Sequence, residues 1–370
     1  MDMDIKIKTG KAVALLREMT AIPAVTFGEA ERSRFLAGRL ESMLLEHGLG
    51  EKVQMAKVGN NILLFCPKEN SRTLMLCAHM DTVPPSDGYS SEPYSLTERG
   101  GRLTGLGVND DGASLACLCA AFMEMAAKTR NLSLLLCLSV QEEKSGDGGM
   151  KLVLEHLKGS SNIPYPDCAI VGEPTGMKAA IAEKGLLVVD GEAFGEACHA
   201  AIGGENNAIY NALADIESVR KLRFRRRSTV MGPTHLTVTQ INAGECHNVQ
   251  PASCRYVIDV RPNDRYSNHE IMDMLRARVG GRLKARSLDH NSRLTPSGCV
   301  LMQAVESLGI ETYASSTSSD WSLLDIPAVK IGPGESSRSH KADEYVTRAE
   351  LRGGIEQYEA LIKTIDTLIR

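Results

Sequence analysis

The 370-residue chain lacks long apolar runs: Leu132 to Val140, a strongly apolar stretch with two serines in it, spans nine residues. A membrane-spanning helix needs about 20, so none is expected. The opening MDMDIKIKTG carries charges and no apolar leader segment, which sets an expectation of no secretory signal. Neither sign of charge dominates. Lys plus Arg number 42 and Asp plus Glu 46, a formal charge of -4, so charge gives no reason to expect a nucleic acid or an anionic membrane as partner. No Cys-x-x-Cys pair occurs among ten scattered cysteines. Cys77 and Cys137 lie in apolar runs, and Cys117 and Cys119 are two apart on an expected helix, where they diverge. Reduced, buried thiols in a cytoplasmic protein are therefore expected. No internal repeat or low-complexity stretch is present. What remains is an ordinary globular composition, 43% apolar and 24% charged, in a chain long enough for two domains.

Residues 11–46 read as helix with a break at Ile22–Pro23, followed by strands at 61–66 and 73–78. Residues 112–128, rich in Ala, Leu and Met, read as helix. Leu132 to Val140 and CAIVG at 168–172 are strongly apolar runs, as in strands buried on both faces. This alternation predicts an α/β domain with a mostly parallel sheet and helices on both faces. From about residue 178 the pattern changes. Residues 179–194, 234–243 and 254–260 alternate apolar and polar side chains, separated by helices at 206–221 and 268–279. Strand–helix–strand–strand–helix–strand is the order of a ferredoxin-like α+β unit. The expected organisation is a catalytic domain in two pieces, 1–177 and 289–370, interrupted by an inserted domain at 178–288. The basic run Arg220 to Arg227 (RKLRFRRR) is read as the solvated end of the inserted domain's helix, where cations suit the C-terminal dipole, in preference to an anion site.

Five segments place acids or imidazoles at expected strand ends: LCAHMD with His79 and Asp81, GLGVNDDG with Asp110, SVQEE with Glu142 and Glu143, VGEPT with Glu173, and GPGESSRSH with His340. From His79 to Asp110 is 31 residues, from Asp110 to Glu143 33, and from Glu143 to Glu173 30. About thirty residues is one βαβ step, and successive steps return the chain to the same rim of a parallel sheet. The 167 residues between Glu173 and His340 leave room for the inserted domain. Nitrogen and oxygen donors without thiolate suit zinc, cobalt or manganese. Carboxylates can bridge, so a pair of ions about 3.5–4 Å apart is expected. In His79-x-Asp81, strand spacing lets Asp81 hold the second ring nitrogen of His79. Of the adjacent Glu142 and Glu143, one would ligate and the other would act as a base. Taken singly, each segment has an ordinary explanation; Asp110-Asp111-Gly112, for instance, could simply cap the helix beginning near 112.

These motifs, with INAGECHNVQP and IDVRP, resemble the dinuclear-zinc amidohydrolases, a family that includes acetylornithine deacetylase, succinyl-diaminopimelate desuccinylase, aminoacylase and glutamate-releasing carboxypeptidases. The runs VGEPT, AEKG and GPG…SRSH look closest to the acetylornithine deacetylase type. The resemblance covers residue 12 to the C-terminus and implies roles. His79, Asp110 and Glu173 would hold one metal, and Glu143, Asp110 and His340 the other, Asp110 bridging. Asp81 would support His79, Glu142 would be the general base, and the Asp110–Asp111 peptide bond would be cis. In the inserted domain His199 would reach a partner subunit's site to stabilise the oxyanion, while Asn248 and Arg261 would lie near the substrate's carboxylate. The implied protein is a homodimeric hydrolase carrying two ions per subunit, zinc or else cobalt, that removes the acyl group of N-acetylornithine. An N-succinyl ornithine or diaminopimelate deacylase, or a small-peptide carboxypeptidase, would use the same centre. Departures are the proline missing after His199 and Asp111 at a position small in some relatives. Trp321, the only tryptophan, falls in a substrate-side loop of the family, with a structural role at least as well supported.

Overall fold

A computed structural model describes residues 2–159 and 162–369. The chain forms two compact units. One comprises the chain up to Ile181, Thr295–Tyr313 and the chain from Ser319 onward; the other comprises Ala182–Leu294 and Ala314–Ser318.

In the first unit the strands lie in the order Gln54–Val58, Asn61–Cys66, Leu132–Ser139, Arg72–His79, Cys168–Val171, Ala328–Lys330, Ala179–Glu183, the last belonging to this unit only as far as Ile181. The four central strands, from Leu132–Ser139 to Ala328–Lys330, are mutually parallel, and the flanking pairs are antiparallel. The sheet is therefore mixed around a parallel centre. Leu132–Ser139 is buried along its whole length. Leu134, Leu136 and Leu138 enter one core, with the helices Asp2–Thr20, Ala30–Glu46, Gly112–Met125, Val300–Ser307 and Arg348–Leu368. Leu135 and Cys137 enter the other, with helix Met150–Gly159 and the fully buried Trp321. A strand covered on both faces favours apolar residues on both, hence the run Leu134 to Leu138 between the buried Ser133 and Ser139. Helix Gly112–Met125 is apolar all round because it is enclosed all round. Seven of the ten cysteines are buried, and none forms a disulfide. No helix among the described residues is long and apolar enough to cross a membrane.

The second unit has a four-stranded antiparallel sheet in the order His235–Ala243, Ser253–Arg261, Leu187–Phe194, Arg282–Ala285, with helices Ala208–Arg220 and Asn268–Arg276. That is the βαββαβ arrangement the alternating pattern predicts. In Ser253–Arg261, Cys254, Tyr256, Ile258 and Val260 are buried, while the residues between them are exposed or half-buried. The alternating stretch 179–194 is two strands, broken at Lys184–Leu186. The basic run begins where helix Ala208–Arg220 ends, with Arg220 and Lys221 both paired to Glu217. A short ribbon pairs Cys198–His199 with Val249–Gln250.

Candidate metal centre

Strands Arg72–His79 and Leu132–Ser139 run parallel in register from Arg72↔Leu132 to His79↔Ser139 and end level with each other. His79 closes one strand, and a short 3-10 turn, Glu142–Lys144, follows the other. Gln141 at φ +61 and Ser145 at φ +49 bend the chain sharply on either side of the two glutamates.

His79 is buried. Its Nδ1–H donates to the main-chain oxygen of Asp81 at 3.0 Å, with the Asp81 carboxylate farther off at 3.5 Å. Nε2 faces Asp110 Oδ1 at 3.2 Å. The Asp81 carboxylate instead accepts from the backbone N–H groups of Glu142 (3.1 Å) and Glu143 (3.3 Å) and from Thr26 Oγ1 (2.9 Å). It therefore fixes the glutamate turn as well as lying beside His79. Burial alone would lower the pKa of His79, but its hydrogen bonds to Asp110 and Asp81 outweigh that and hold it well above the ordinary value.

Asp110 lies between two imidazoles. Oδ1 faces His79, and Oδ2 lies 3.6 Å from His340 Nε2. The same His340 nitrogen meets Glu143 Oε1 at 3.0 Å. The Asp110–Asp111 peptide bond is cis. Asp111 occupies the N-cap position of helix Gly112–Met125 without a side-chain capping hydrogen bond, so capping does not explain the acidic pair. His340 has φ +60 and a side chain 52% exposed, against 2% for His79. Strand Tyr345–Thr347 pairs with Arg102–Thr104, which joins the chain after His340 to the chain before Asp110.

Two groups of three donors have ligand atoms within 4.8 Å of one another: His79, Asp110 and Glu143, and His79, Glu142 and Glu173. Four of the five expected metal ligands, His79, Asp110, Glu143 and Glu173, fall in these groups, and Glu142 stands as close as a ligand would; His340 is in neither group and adjoins them through Glu143 at 3.0 Å and Asp110 at 3.6 Å. The donor set suits divalent cations. Four carboxylates face two imidazoles, and buried charge needs compensation. Burial, together with the neighbouring carboxylates Glu173, Asp320 and Glu143, pushes Glu142 well above the usual range despite His79. Burial and Asp110 do the same to Glu173.

Two buried supports carried no sequence signal. Asn109 hydrogen-bonds to Glu335 and Ser339. Glu344 accepts from Asn109 N at 3.1 Å, and burial, helped by Asp110, pushes its carboxyl up to about 8. Their partners lie more than 220 residues away in the chain.

In the second unit, His199 and Asn248 are exposed neighbours, Ala200 N donating to Asn248 O at 2.9 Å. Arg261 makes a two-pronged pair with Asp259 at 2.8 and 3.0 Å. It lies at the opposite end of Ser253–Arg261 from Asn248. Eight strand steps of about 3.3 Å, about 26 Å in all, separate Ser253 from Arg261. One copy of this unit therefore does not bring Asn248 and Arg261 together on one carboxylate.

Residues 75–364 match the description of peptidase family M20/M25/M40. Curated acetylornithine deacetylases are similar along nearly the whole chain. That of Edwardsiella ictaluri is 28% identical, covering 90% of this chain and 92% of its own. That of Proteus mirabilis is 25% identical, covering 94% of both. Among solved structures, an M20 metallo-carboxypeptidase from Sulfolobus solfataricus superposes with a TM-score of 0.76 at 16% identity, covering 96% of this chain and 99% of its own. A dinuclear metal-binding M20 peptidase from Bacillus subtilis gives 0.70 at 14% identity, covering 98% and 99%. The acid-and-imidazole cluster at the end of a parallel sheet thus stands in a chain that belongs to peptidase family M20/M25/M40, as a hydrolase of amide bonds.

Proposed function

We propose that this enzyme removes the acetyl group of N-acetylornithine, releasing ornithine and acetate, and so serves arginine biosynthesis in the cytoplasm. The observation that carries a dinuclear centre is Asp110, with one oxygen toward His79 and the other toward His340. Two divalent ions, zinc or else cobalt, would be held by His79, Asp110 and Glu173 and by Glu143, Asp110 and His340. When bound, they would polarise the amide carbonyl and acidify the attacking water. Glu142 accepts the proton of that water, and the water oxygen bonds to the carbonyl carbon. As the C–N bond breaks, Glu142 passes the proton to the departing amine. Asp81 holds Glu142 in place through its backbone N–H. The substrate preference is supported by the relatives named acetylornithine deacetylase, 25–28% identical over at least 90% of the chain.

His199 would donate to the developing oxyanion, and Arg261 and Asn248 would position the substrate's carboxylate end. The length of Ser253–Arg261 favours a homodimer in which one copy supplies Arg261 and the other His199 and Asn248. An N-succinyl ornithine or diaminopimelate deacylase, or a small-peptide carboxypeptidase, is the second reading; the M20 carboxypeptidase likeness favours the latter. The deciding experiment is a hydrolysis screen of zinc- and cobalt-loaded protein over acetyl and succinyl derivatives of ornithine and diaminopimelate and over short peptides. Acetylornithine should lead. A higher kcat/KM on another class would move the assignment there. Glu142→Gln should bind metal and lose several orders of magnitude in rate; near-full activity would remove Glu142 from its role.

A further inference from the structure

Asn109, immediately before Asp110, has no task in the chemistry above, yet its amide is fully engaged. It is 0% exposed. Oδ1 accepts from Glu335 N at 3.0 Å, and Nδ2 donates to Glu335 O and to Ser339 Oγ, both at 3.2 Å. The amide therefore pairs with both backbone groups of one residue, which requires a donor and an acceptor side by side. A carboxylate supplies no donor, and an apolar side chain would strand both Glu335 groups. Its own backbone N–H donates to Glu344. Residues 335, 339 and 344 bracket His340 in the chain. Gly334 leaves room for the amide: a Cβ there would come within 2.3 Å of Asn109 Oδ1, and φ is +85. The same loop is tied beside Glu173 by Ser336 Oγ donating to Pro174 O at 2.7 Å.

We infer that Asn109 is a positioning residue for His340, fixing the His340 loop against Asp110 so that His340, Glu143 and Asp110 form the second cation site. This rests on the dinuclear reading above. His340 is on an exposed loop with a left-handed backbone, so its place depends on what anchors the loop. Asn109 ties that anchor to the residue next to the shared aspartate.

The test is calorimetric titration of metal-free, full-length protein with zinc, with cobalt absorption as a second readout. Wild type should take up two ions. Asn109→Ala and Asn109→Asp should bind the first ion as wild type does and the second roughly 10–100-fold more weakly. Ser339→Ala, which removes one of the three Asn109 bonds and also the hydroxyl's bond to Asp110, should weaken the second ion by a smaller factor than the Asn109 variants and decides the matter if those do not fold. A merely structural role would lower Tm and leave the ratio of the two affinities unchanged. Unchanged second-ion binding in folded Asn109 variants, or in Ser339→Ala where those fail to fold, overturns the inference. Fewer than two ions on wild type would instead overturn the dinuclear reading, and this inference with it.

Discussion

The two imidazoles of the cluster are held in different ways. His79 ends a buried strand, its ring caught between the Asp81 carbonyl and the Asp110 carboxylate. His340 sits on a loop, half exposed, and meets Glu143 and Asp110 across a long excursion of the chain. Rigidity on one side is supplied by the sheet core, and on the other by hydrogen bonds between loops. The cluster has a preformed half and a half that must be assembled, and damage to each should read out differently.

His79→Ala gives the largest expected effect. It would hold one ion with Asp110 and Glu173 and faces the Asp110 carboxylate that both ions would share, so the variant should lose tight binding of that ion and roughly a thousandfold in kcat/KM, the equivalent of about 4 kcal/mol. Metal analysis after dialysis, alongside kinetics, checks this. His340→Ala should keep one ion and lose roughly a few hundredfold in rate; retention of both ions would erase the contrast between the two halves. Asp81→Asn comes next, with a loss of about 10–100-fold in kcat. It keeps a side chain of the same shape but weakens the charge-assisted bonds to the Glu142 and Glu143 N–H groups. Thr26→Val removes only the hydroxyl that donates to Asp81. About 1 kcal/mol, a rate effect of roughly fivefold with both ions retained, is expected, and Thr26→Ser should restore it.

The same division explains what the sequence disclosed. His79, Glu143 and Glu173 follow apolar runs, so strand end and acid or imidazole announce each other. The second unit was legible because a sheet with one covered face alternates, as Ser253–Arg261 does. Asn109, Thr26 and Glu344 were not, because a polar residue in a loop looks like an ordinary turn until its distant partner is in place. The antiparallel flank Gln54–Val58, with the residues QMAKV, was missed for a related reason: only Val58 is fully buried, so no apolar run marks it. The separation of Asn248 from Arg261 came from register along a strand, which motif spacing does not encode.

The level ends of Arg72–His79 and Leu132–Ser139 tie catalysis to the interior. Removing one residue from Leu132–Ser139 would exchange the side chains committed to the two cores and draw the Glu142 turn back by one strand step, about 3.3 Å. The active centre can drift only if the hydrophobic layers drift with it, so substitutions that retune the chemistry must come from the loops, while the strands act as a fixed ruler.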